Sequence, residues 1–215
     1  MGRWVLLRKG ADFEAIGKKY QISPRLACLI RNRDVIGEEA VDRYLNGTIS
    51  DLYDGMLMKD MDKAIDILKE KILEDKKIRV IGDYDIDGVN ATYILLEGLE
   101  RLGANVDSDI PDRISDGYGL NRHLVERAYE AGVDTLITCD NGIAAADEIA
   151  YGKEMGMTVI VTDHHEVPFD EHDGEKRYRI PPADAVMDPK QPDCLYPFKG
   201  LCGAAVAYKL MEALW

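Results

Sequence analysis

The sequence lacks several features that would assign it to a special class of protein. No stretch approaches 18 consecutive apolar residues, which excludes a membrane span. The apolar run from Trp4 to Leu7 is too short for the core of a secretory signal. These absences predict a cytoplasmic protein with no membrane partner. Cysteine is scarce and shows no C-x-x-C pair, so we expect small buried thiols rather than a disulfide framework at Cys28, Cys139, Cys194 and Cys202.

Basic residues are also few relative to acidic ones. The 215 residues include 27 Lys and Arg against 40 Asp and Glu, a net charge of −13. This balance argues against a broad basic surface for nucleic acids. A nucleic-acid substrate is still possible, because carboxylates gathered around divalent cations form a locally neutral or positive site. With no internal repeat and no low-complexity linker, the length fits one large domain, with or without an appendage.

Residues 1–58 predict a mostly helical N-terminal segment. Ser23 and Pro24 fit a helix start, with Ser23 as the N-cap and Pro24 at the first helical position. A second short helix is expected from Gly37 to Leu45, followed by the turn-rich stretch NGTISDLYDG. The apolar face of the first of these helices is expected to hold Leu26, Leu29 and Ile30.

Residues 59–215 predict an α/β domain with a parallel sheet and helices on both faces. An amphipathic helix between Met61 and Leu73 opens it. Apolar strands then alternate with helices of 10–14 residues, a pattern typical of parallel sheets covered on both sides. Ligands of such sheets collect at the carboxyl ends of the strands, which makes the residues there the site candidates. The expected strands are KIRVIGD, NVDSDI, DTLITCD, MTVIVTD and DAVMD.

Two of these strands end in acidic turns. After the first strand, Asp83, Asp85 and Asp87 alternate in GDYDIDG, and in an extended segment their carboxylates would point to one side. Like charges on one face repel unless a cation lies among them. The alternative is an N-cap cluster in which one Asp caps a helix and the others are solvated. The DTLIT strand ends at Asp140 in CDNG, which is also good turn chemistry.

The MTVIVT strand ends in Asp163, His164 and His165. Carboxylate and imidazole together suit Mn²⁺, Zn²⁺ or Fe²⁺. Because adjacent residues cannot easily bind one ion in the same way, one histidine is expected to bind metal while the other faces substrate. Five carboxylates and two imidazoles exceed the ligands that one ion needs, which predicts two ions about 3.5–4 Å apart. Such a site would hydrolyse a phosphoester or phosphoanhydride bond.

These motifs resemble those of the DHH phosphoesterase family, and within it the RecJ-type exonucleases, which degrade single-stranded DNA from the 5′ end. The resemblance implies a metal-dependent exonuclease of DNA repair and recombination, with Mn²⁺ or Mg²⁺ as cofactor and two ions in the complete site. Single-stranded DNA would be its substrate, and single-strand-binding protein and helicases would be partners of the full-length protein. The similarity covers nearly the whole chain, in ISPRLACLIRNR, LMKDMDKAIDIL, VIGDYDIDGVNAT, IPDRISDGYGLN, ITCDNGI, VTDHH and MDPKQPDCLYPFKGLCGAAVAYKL.

The resemblance also implies a role for each site residue. His165 would contact the scissile phosphate and stabilise the transition state, and Asp163 would orient the adjacent histidine. Arg113 would contact a phosphate, since a guanidinium suits phosphate oxygens, although a solvated loop charge is the alternative. Asp140 would bridge the two ions and so belong with His165 to the catalytic residues. The implied metal ligands are Asp83, Asp85, Asp87, Asp140 and His164.

Departures from the family pattern and rival interpretations remain open. The family's last metal-ligand Asp and its second, DHHA1-type domain would lie beyond Trp215, so we expect an amino-terminal fragment. Asp188 stands where related enzymes usually carry Asn and could offer a carboxylate near the site. One alternative is a small-substrate DHH phosphodiesterase acting on nano-RNA or cyclic dinucleotides, and another is a catalytically inert scaffold or fragment. A third is a haloacid-dehalogenase-like phosphatase with Asp85 as nucleophile.

Overall fold

A computed structural model describes residues 5, 7, 9–114, 117, 119–172 and 174–215. The chain forms two compact units, Met1–Leu52 and Tyr53–Trp215. The domain boundary expected after residue 58 stays a prediction. Parts of the short apolar run and of the IPDRISDGYGLN motif fall outside the described residues, namely Trp4, Leu6, Ser115, Asp116 and Tyr118.

The first unit is helical, as predicted. Ser23 begins the second helix: its hydroxyl accepts a hydrogen bond from the N–H of Leu26, and Pro24 occupies the first turn. A capping hydroxyl satisfies one of the backbone donors that a helix start leaves unpaired. The elements are α1 (Phe13–Tyr20), α2 (Pro24–Asn32), α3 (Glu38–Asn46) and a 3₁₀ turn (Ile49–Asp51).

The predicted apolar face of α2 is only partly right. Ile30 is buried together with Ala27, whereas Leu26 and Leu29 are 41% and 52% exposed. A helix turns by about 100° per residue. When Ala27 and Ile30 face the core, Leu26 and Leu29 therefore lie at the edge of the buried face. The buried stripe of α2 is therefore narrower than the sequence suggested.

The second unit alternates strands and helices as predicted. A 3₁₀ turn (Gly55–Leu57) precedes its helices, and none of the described helices is long and apolar enough to cross a bilayer. The helices are α4 (Met61–Leu73), α5 (Ile86–Arg101), α6 (Arg122–Glu130), α7 (Ala146–Glu154) and α8 (Gly203–Leu214). The strands are β1 (Ile78–Ile81), β2 (Val106–Asp109), β3 (Thr135–Cys139), β4 (Thr158–Thr162), β5 (Phe169–His172), β6 (Glu175–Tyr178) and β7 (Ala185–Met187).

Five of the strands form one parallel sheet in the order β2-β1-β3-β4-β7. Val80 and Ile137 pack in a buried cluster with residues of α4, α5 and α8. Ile81 and Leu136, their neighbours along the strands, pack with α6 and α7 in a second cluster. The sheet therefore has helices on both faces, and all five strands deliver their carboxyl ends to one edge.

A β-hairpin between β4 and β7 was missed by the sequence analysis. Strands β5 and β6 pair in antiparallel fashion, and every residue in them is exposed. The ring centroids of Phe169 and Tyr178 lie 5.7 Å apart, and the ammonium of Lys176 lies 4.2 Å from the Phe169 ring centroid. FDEH and EKRY carry no alternation of apolar residues, the signal by which a half-buried strand is recognised in a sequence.

Candidate metal centre

Four buried carboxylates lie at the carboxyl ends of four neighbouring strands. The sheet register pairs Ile81 with Thr138, Cys139 with Thr162 and Thr162 with Met187. Acids that follow these positions are therefore neighbours across the sheet. Four like charges so close together are stable only with hydrogen bonds, protons or cations to compensate them. They are Asp83, Asp140, Asp163 and Asp188, each at most 1% exposed.

Asp163 is compensated by hydrogen bonds. Its Oδ1 lies 2.7 Å from Nδ1 of His165 and accepts the N–H of His164, while its Oδ2 accepts the N–H of Ile143 at 2.9 Å. Burial alone would raise the pKa of Asp163, but these hydrogen bonds outweigh it and hold the pKa below its usual range. The same contact raises the pKa of His165. This geometry suits the predicted role of Asp163 in orienting the histidine.

Asp83 has no such compensation, because neither of its carboxylate oxygens accepts a hydrogen bond from the residues that the structure describes. Asp140 accepts none from them either, but its Oδ1 lies at ion-pair distance from the imidazole of His164. Burial, followed by the charges of Asp87 and Asp85, raises the pKa of Asp140 to about 7. Buried carboxylate oxygens without a donor are the surroundings that a divalent cation neutralises, and oxygen ligands suit Mg²⁺ and Mn²⁺. The residues present therefore fit a metal ion.

Asp140 is shared by two groups of candidate ligands. Carboxylate oxygens of Asp83, Asp85 and Asp140 all lie within 4.8 Å of one another, and ligand atoms of Asp140, His164 and His165 form a second group within the same limit. Nε2 of His164 lies 2.9 Å from Oδ1 of Asp140. A carboxylate common to two ligand groups is the arrangement expected of a bridge between two ions.

The expectation that Asp83, Asp85 and Asp87 alternate along an extended segment is wrong. Asp85 is the N-cap of α5, and its carboxylate accepts the N–H groups of Asp87 and Gly88, each at 2.9 Å. The cap starts the helix at Ile86, so Asp87 lies in the first helical turn, where a carboxylate is favourable. The capping alternative is right for Asp85, but Asp83 is fully buried rather than solvated.

Asp87 connects the start of α5 to the start of α8. Its carboxylate accepts the N–H groups of Gly203 and Ala204 at 2.6 and 2.8 Å, and its Oδ2 lies 3.5 Å from Nε2 of His164. Burial raises the pKa of Asp87, but the two backbone donors, together with the Cys202 side chain and the charge of His164, outweigh it and bring the pKa below its usual value. Asp87 therefore stays charged beside the second ligand group, and its assignment as a ligand stays a prediction.

Gly203 is a site residue that the sequence analysis missed. A Cβ atom at this position would lie 2.6 Å from Oδ1 of Asp140 and 2.8 Å from its Cγ. Only glycine lets the backbone of α8 approach the carboxylate this closely. No local sequence signal marks such a contact, because it joins residues far apart in the chain.

Arg113 and Asp188 lie near the centre but outside both ligand groups. The Arg113 side chain is exposed, and its guanidinium carbon lies 5.4 Å from the ring centroid of Tyr84, within the loop that carries Asp83. Its contact with phosphate stays a prediction. Asp188 accepts the N–H of Lys190 at 2.7 Å through Oδ1, and burial raises its pKa to about 7. Its Oδ2 accepts no hydrogen bond within the described part of the chain.

The two kinds of buried carboxylate predict opposite effects on stability. In the metal-free chain, Asp83→Asn is expected to raise the free energy of unfolding by about 1–3 kcal/mol, because it removes a buried charge without a partner. Asp163→Asn is expected to lower it by about 2 kcal/mol, because it weakens charge-assisted hydrogen bonds. Urea denaturation in the presence of a chelator measures both. Effects of the same sign would contradict this account.

The raised pKa values of Asp140 and Asp188 predict a pH dependence. An Asp in the unfolded chain titrates at about pH 4. Between that pH and about pH 7, Asp140 and Asp188 therefore hold protons in the native state that they have lost in the unfolded state. The stability of the metal-free chain should therefore fall by about 2 kcal/mol or more as the pH rises from about 4 to about 7, and it should level off at higher pH. Thermal melts at about pH 5.5 and about pH 8.5 with a chelator test this, and the Asp140→Asn, Asp188→Asn double variant should flatten the difference.

Comparisons with known proteins match the same region. Residues 77–214 fit the model of the DHH family, N-terminal domain. The single-stranded-DNA-specific exonuclease RecJ of Bacillus subtilis (strain 168) is 40% identical over 213 residues, which are 99% of this chain and 26% of that protein. The enzyme of the same name from Escherichia coli (strain K12) is 32% identical over 215 residues, 100% of this chain and 35% of that protein. The crystal structure of RecJ in complex with Mn²⁺ from Thermus thermophilus is 30% identical with a TM-score of 0.68, over 99% of this chain and 28% of that one.

The chain spans about a quarter to a third of the length of these relatives. The residues matched by the family model include all five strands of the parallel sheet and every candidate ligand. They leave no support for the haloacid-dehalogenase interpretation, in which Asp85 would be a nucleophile rather than a helix cap. The chain belongs to the DHH family, and residues 77–214 are its N-terminal domain.

Proposed function

We propose that this chain forms the metal-binding lobe of a metal-dependent 5′-to-3′ exonuclease that acts on single-stranded DNA. The observation that carries the proposal is the position of Asp140, whose buried carboxylate accepts no hydrogen bond from the described residues and belongs to two ligand groups at once. The names of the RecJ relatives support single-stranded DNA as the substrate. The Mn²⁺ in the Thermus thermophilus structure supports a divalent cofactor.

The proposed cofactor is a pair of Mn²⁺ or Mg²⁺ ions. One ion would be held by Asp83, Asp85 and Asp140, and the other by Asp140, His164 and Asp87. When bound, such ions activate water and stabilise charge on phosphoryl oxygens. The carboxylate-rich set suits both metals, and the imidazole of His164 favours Mn²⁺.

His165 is the proposed catalytic group that contacts the scissile phosphate. Asp163 fixes its ring through the Nδ1 contact at 2.7 Å and raises its pKa, which keeps more of the imidazole in the cationic form. A cationic imidazole donates a charge-assisted hydrogen bond to a phosphate oxygen and stabilises the charge that develops there. Arg113, on the neighbouring loop, would bind a second phosphate of the strand.

We further propose that the protein acts in the cytoplasm, in DNA repair and recombination. Single-strand-binding protein and helicases would then be its partners, because both act where single strands are produced. The chain's net charge of −13 suits a site whose positive charge comes from bound cations and a few basic side chains.

The proposal is tested by supplying Mn²⁺ to the purified chain with five substrates. These are a 5′-labelled and a 3′-labelled single strand, the matching duplex, a linear dinucleotide and a cyclic dinucleotide. Loss of the 5′ label as mononucleotide, with the duplex spared, is the expected result. Asp83→Asn should abolish cleavage, whereas Asp147→Asn, an exposed acid in the first turn of α7, should not.

Two other outcomes identify rival functions, and a third contradicts the proposal. Cleavage confined to the two dinucleotides would identify a small-substrate phosphodiesterase. Binding of Mn²⁺ with no cleavage of any substrate would identify a catalytically inert scaffold or fragment. A folded chain that binds no Mn²⁺ would contradict the proposal itself.

A further inference from the structure

We propose that Asn141 is a positioning residue that holds Asp83 and Asp140 at the separation required by a pair of cations. This inference rests on the proposed function, because it concerns the same metal centre. Asn141 follows Asp140 directly and is only 4% exposed. In the sequence it reads simply as part of an Asn-Gly turn.

The side chain of Asn141 joins two neighbouring strands at their carboxyl ends. Its Nδ2 donates to the carbonyl oxygen of Cys139 at 3.0 Å and to that of Ile81 at 3.3 Å. Cys139 is the residue before Asp140, and Ile81 lies two residues before Asp83. One amide group thus links the backbone segments that carry both buried carboxylates.

Two threonines extend this link across the sheet. The hydroxyl of Thr138 donates to the carbonyl oxygen of Asn141 at 2.9 Å, and the hydroxyl of Thr162 donates to the carbonyl oxygen of Thr138 at 2.8 Å. All three side chains are buried. Thr162 immediately precedes Asp163, so the network runs from the end of β1 through β3 to the end of β4, where His164 follows.

The chemistry of the contacts requires an amide donor at position 141. Only the nitrogen of an Asn side chain can face two carbonyl oxygens, so the orientation of the group is fixed by its partners. The backbone at Asp140 has a left-handed φ of 59°, a conformation that Asp tolerates, and its N–H still donates to the carbonyl oxygen of Thr162 on β4 at 3.1 Å. The hydrogen bonds of Asn141 add to this contact where β3 ends.

The distance between the carboxylates is therefore set before a cation binds. Oxygens of Asp83 and Asp140 lie within 4.8 Å of each other although both groups are buried and repel each other when both are ionised. Repulsion would move the two strand ends apart if only the backbone ladder opposed it. A preset separation reduces the reorganisation that metal binding would otherwise require.

The test compares wild type with Asn141→Ser, which is too short to reach either carbonyl. Bound Mn²⁺ is counted by electron paramagnetic resonance, and the low-temperature spectrum reports whether two ions are close enough to be spin-coupled. We expect the coupled spectrum to disappear and the second ion to bind roughly 10- to 100-fold more weakly. Wild-type affinity with an unchanged coupled spectrum in Asn141→Ser would overturn the inference.

Thr138 provides a second pair of variants that does not change Asn141. Thr138→Ser keeps the hydroxyl that holds the Asn141 backbone, and Thr138→Val replaces it with a methyl group. Thr138→Ser should keep the coupled spectrum, and Thr138→Val should weaken it. Identical spectra in these two variants would overturn the inference. This comparison remains available if Asn141→Ser fails to fold. If wild type binds no Mn²⁺, the proposed function fails separately. Crystal structures of wild type and Asn141→Ser then decide, because an unchanged separation of Asp83 and Asp140 would refute the positioning role.

Discussion

Asp140→Asn is expected to weaken Mn²⁺ binding by on the order of 100-fold or more. Losing a residue that only hydrogen-bonds to a metal ligand already lowers metal affinity by about 10- to 100-fold, and Asp140 is a proposed ligand itself. An amide offers one neutral oxygen and cannot bridge two cations. The same substitution removes a buried carboxylate whose pKa is raised to about 7, so the metal-free variant should melt at a higher temperature than wild type. Calorimetric titration with Mn²⁺ and thermal melts with a chelator measure the two effects.

Asp188→Asn is the matched control for this variant. Asp188 follows strand β7, which lies two strands from β3 in the sheet; it is as buried as Asp140 and its pKa is also raised to about 7, but it belongs to neither ligand group. Its substitution should leave Mn²⁺ affinity within about threefold of wild type. Two ions still bound by Asp140→Asn would contradict the bridge. An equal loss in Asp188→Asn would extend the metal centre to a fourth strand.

The position of the centre could be predicted from the sequence because strand ends are local features. Apolar runs followed by Asp140 or by Asp163 and two histidines identify parallel strands and their carboxyl ends without knowledge of the sheet order. The same local reasoning failed at Asp85. Its side chain can cap a helix as well as face a cation, and the pattern of alternating acids fits both until the helix start is known.

The contacts that shape the centre could not be predicted, because they depend on which strands are neighbours. Asn141 reaches Ile81 only because β3 lies beside β1 in the sheet, and Gly203 touches Asp140 only because α8 packs on the same face as α5. In the sequence, Asn141 reads as a turn residue and Gly203 as a helix-start glycine. Their roles come from tertiary structure, which leaves no periodic signal in a single sequence.

Gly203→Ala is expected to weaken Mn²⁺ binding by roughly 10- to 100-fold. This is the effect of losing a residue that hydrogen-bonds to a metal ligand and orients it. The added methyl would lie 2.6 Å from Oδ1 of Asp140 and 2.7 Å from its Cβ, closer than real side chains approach. The helix cannot easily retreat, because the N–H of Gly203 donates to Asp87 at 2.6 Å. The strain therefore falls on Asp140, the residue that both ligand groups share.

Gly152→Ala makes the same change where there is room for it. Gly152 lies inside α7, and a methyl there would meet Val125 at 3.4 Å and Val159 at 3.7 Å, which are ordinary packing distances. Because alanine is the better helix former by about 1 kcal/mol, this control should be neutral or slightly stabilising and should bind Mn²⁺ as wild type does. If Gly203→Ala also binds Mn²⁺ normally, α8 must be able to shift on α5 without moving Asp140. The close approach of Gly203 would then be a packing feature rather than a requirement of the metal centre.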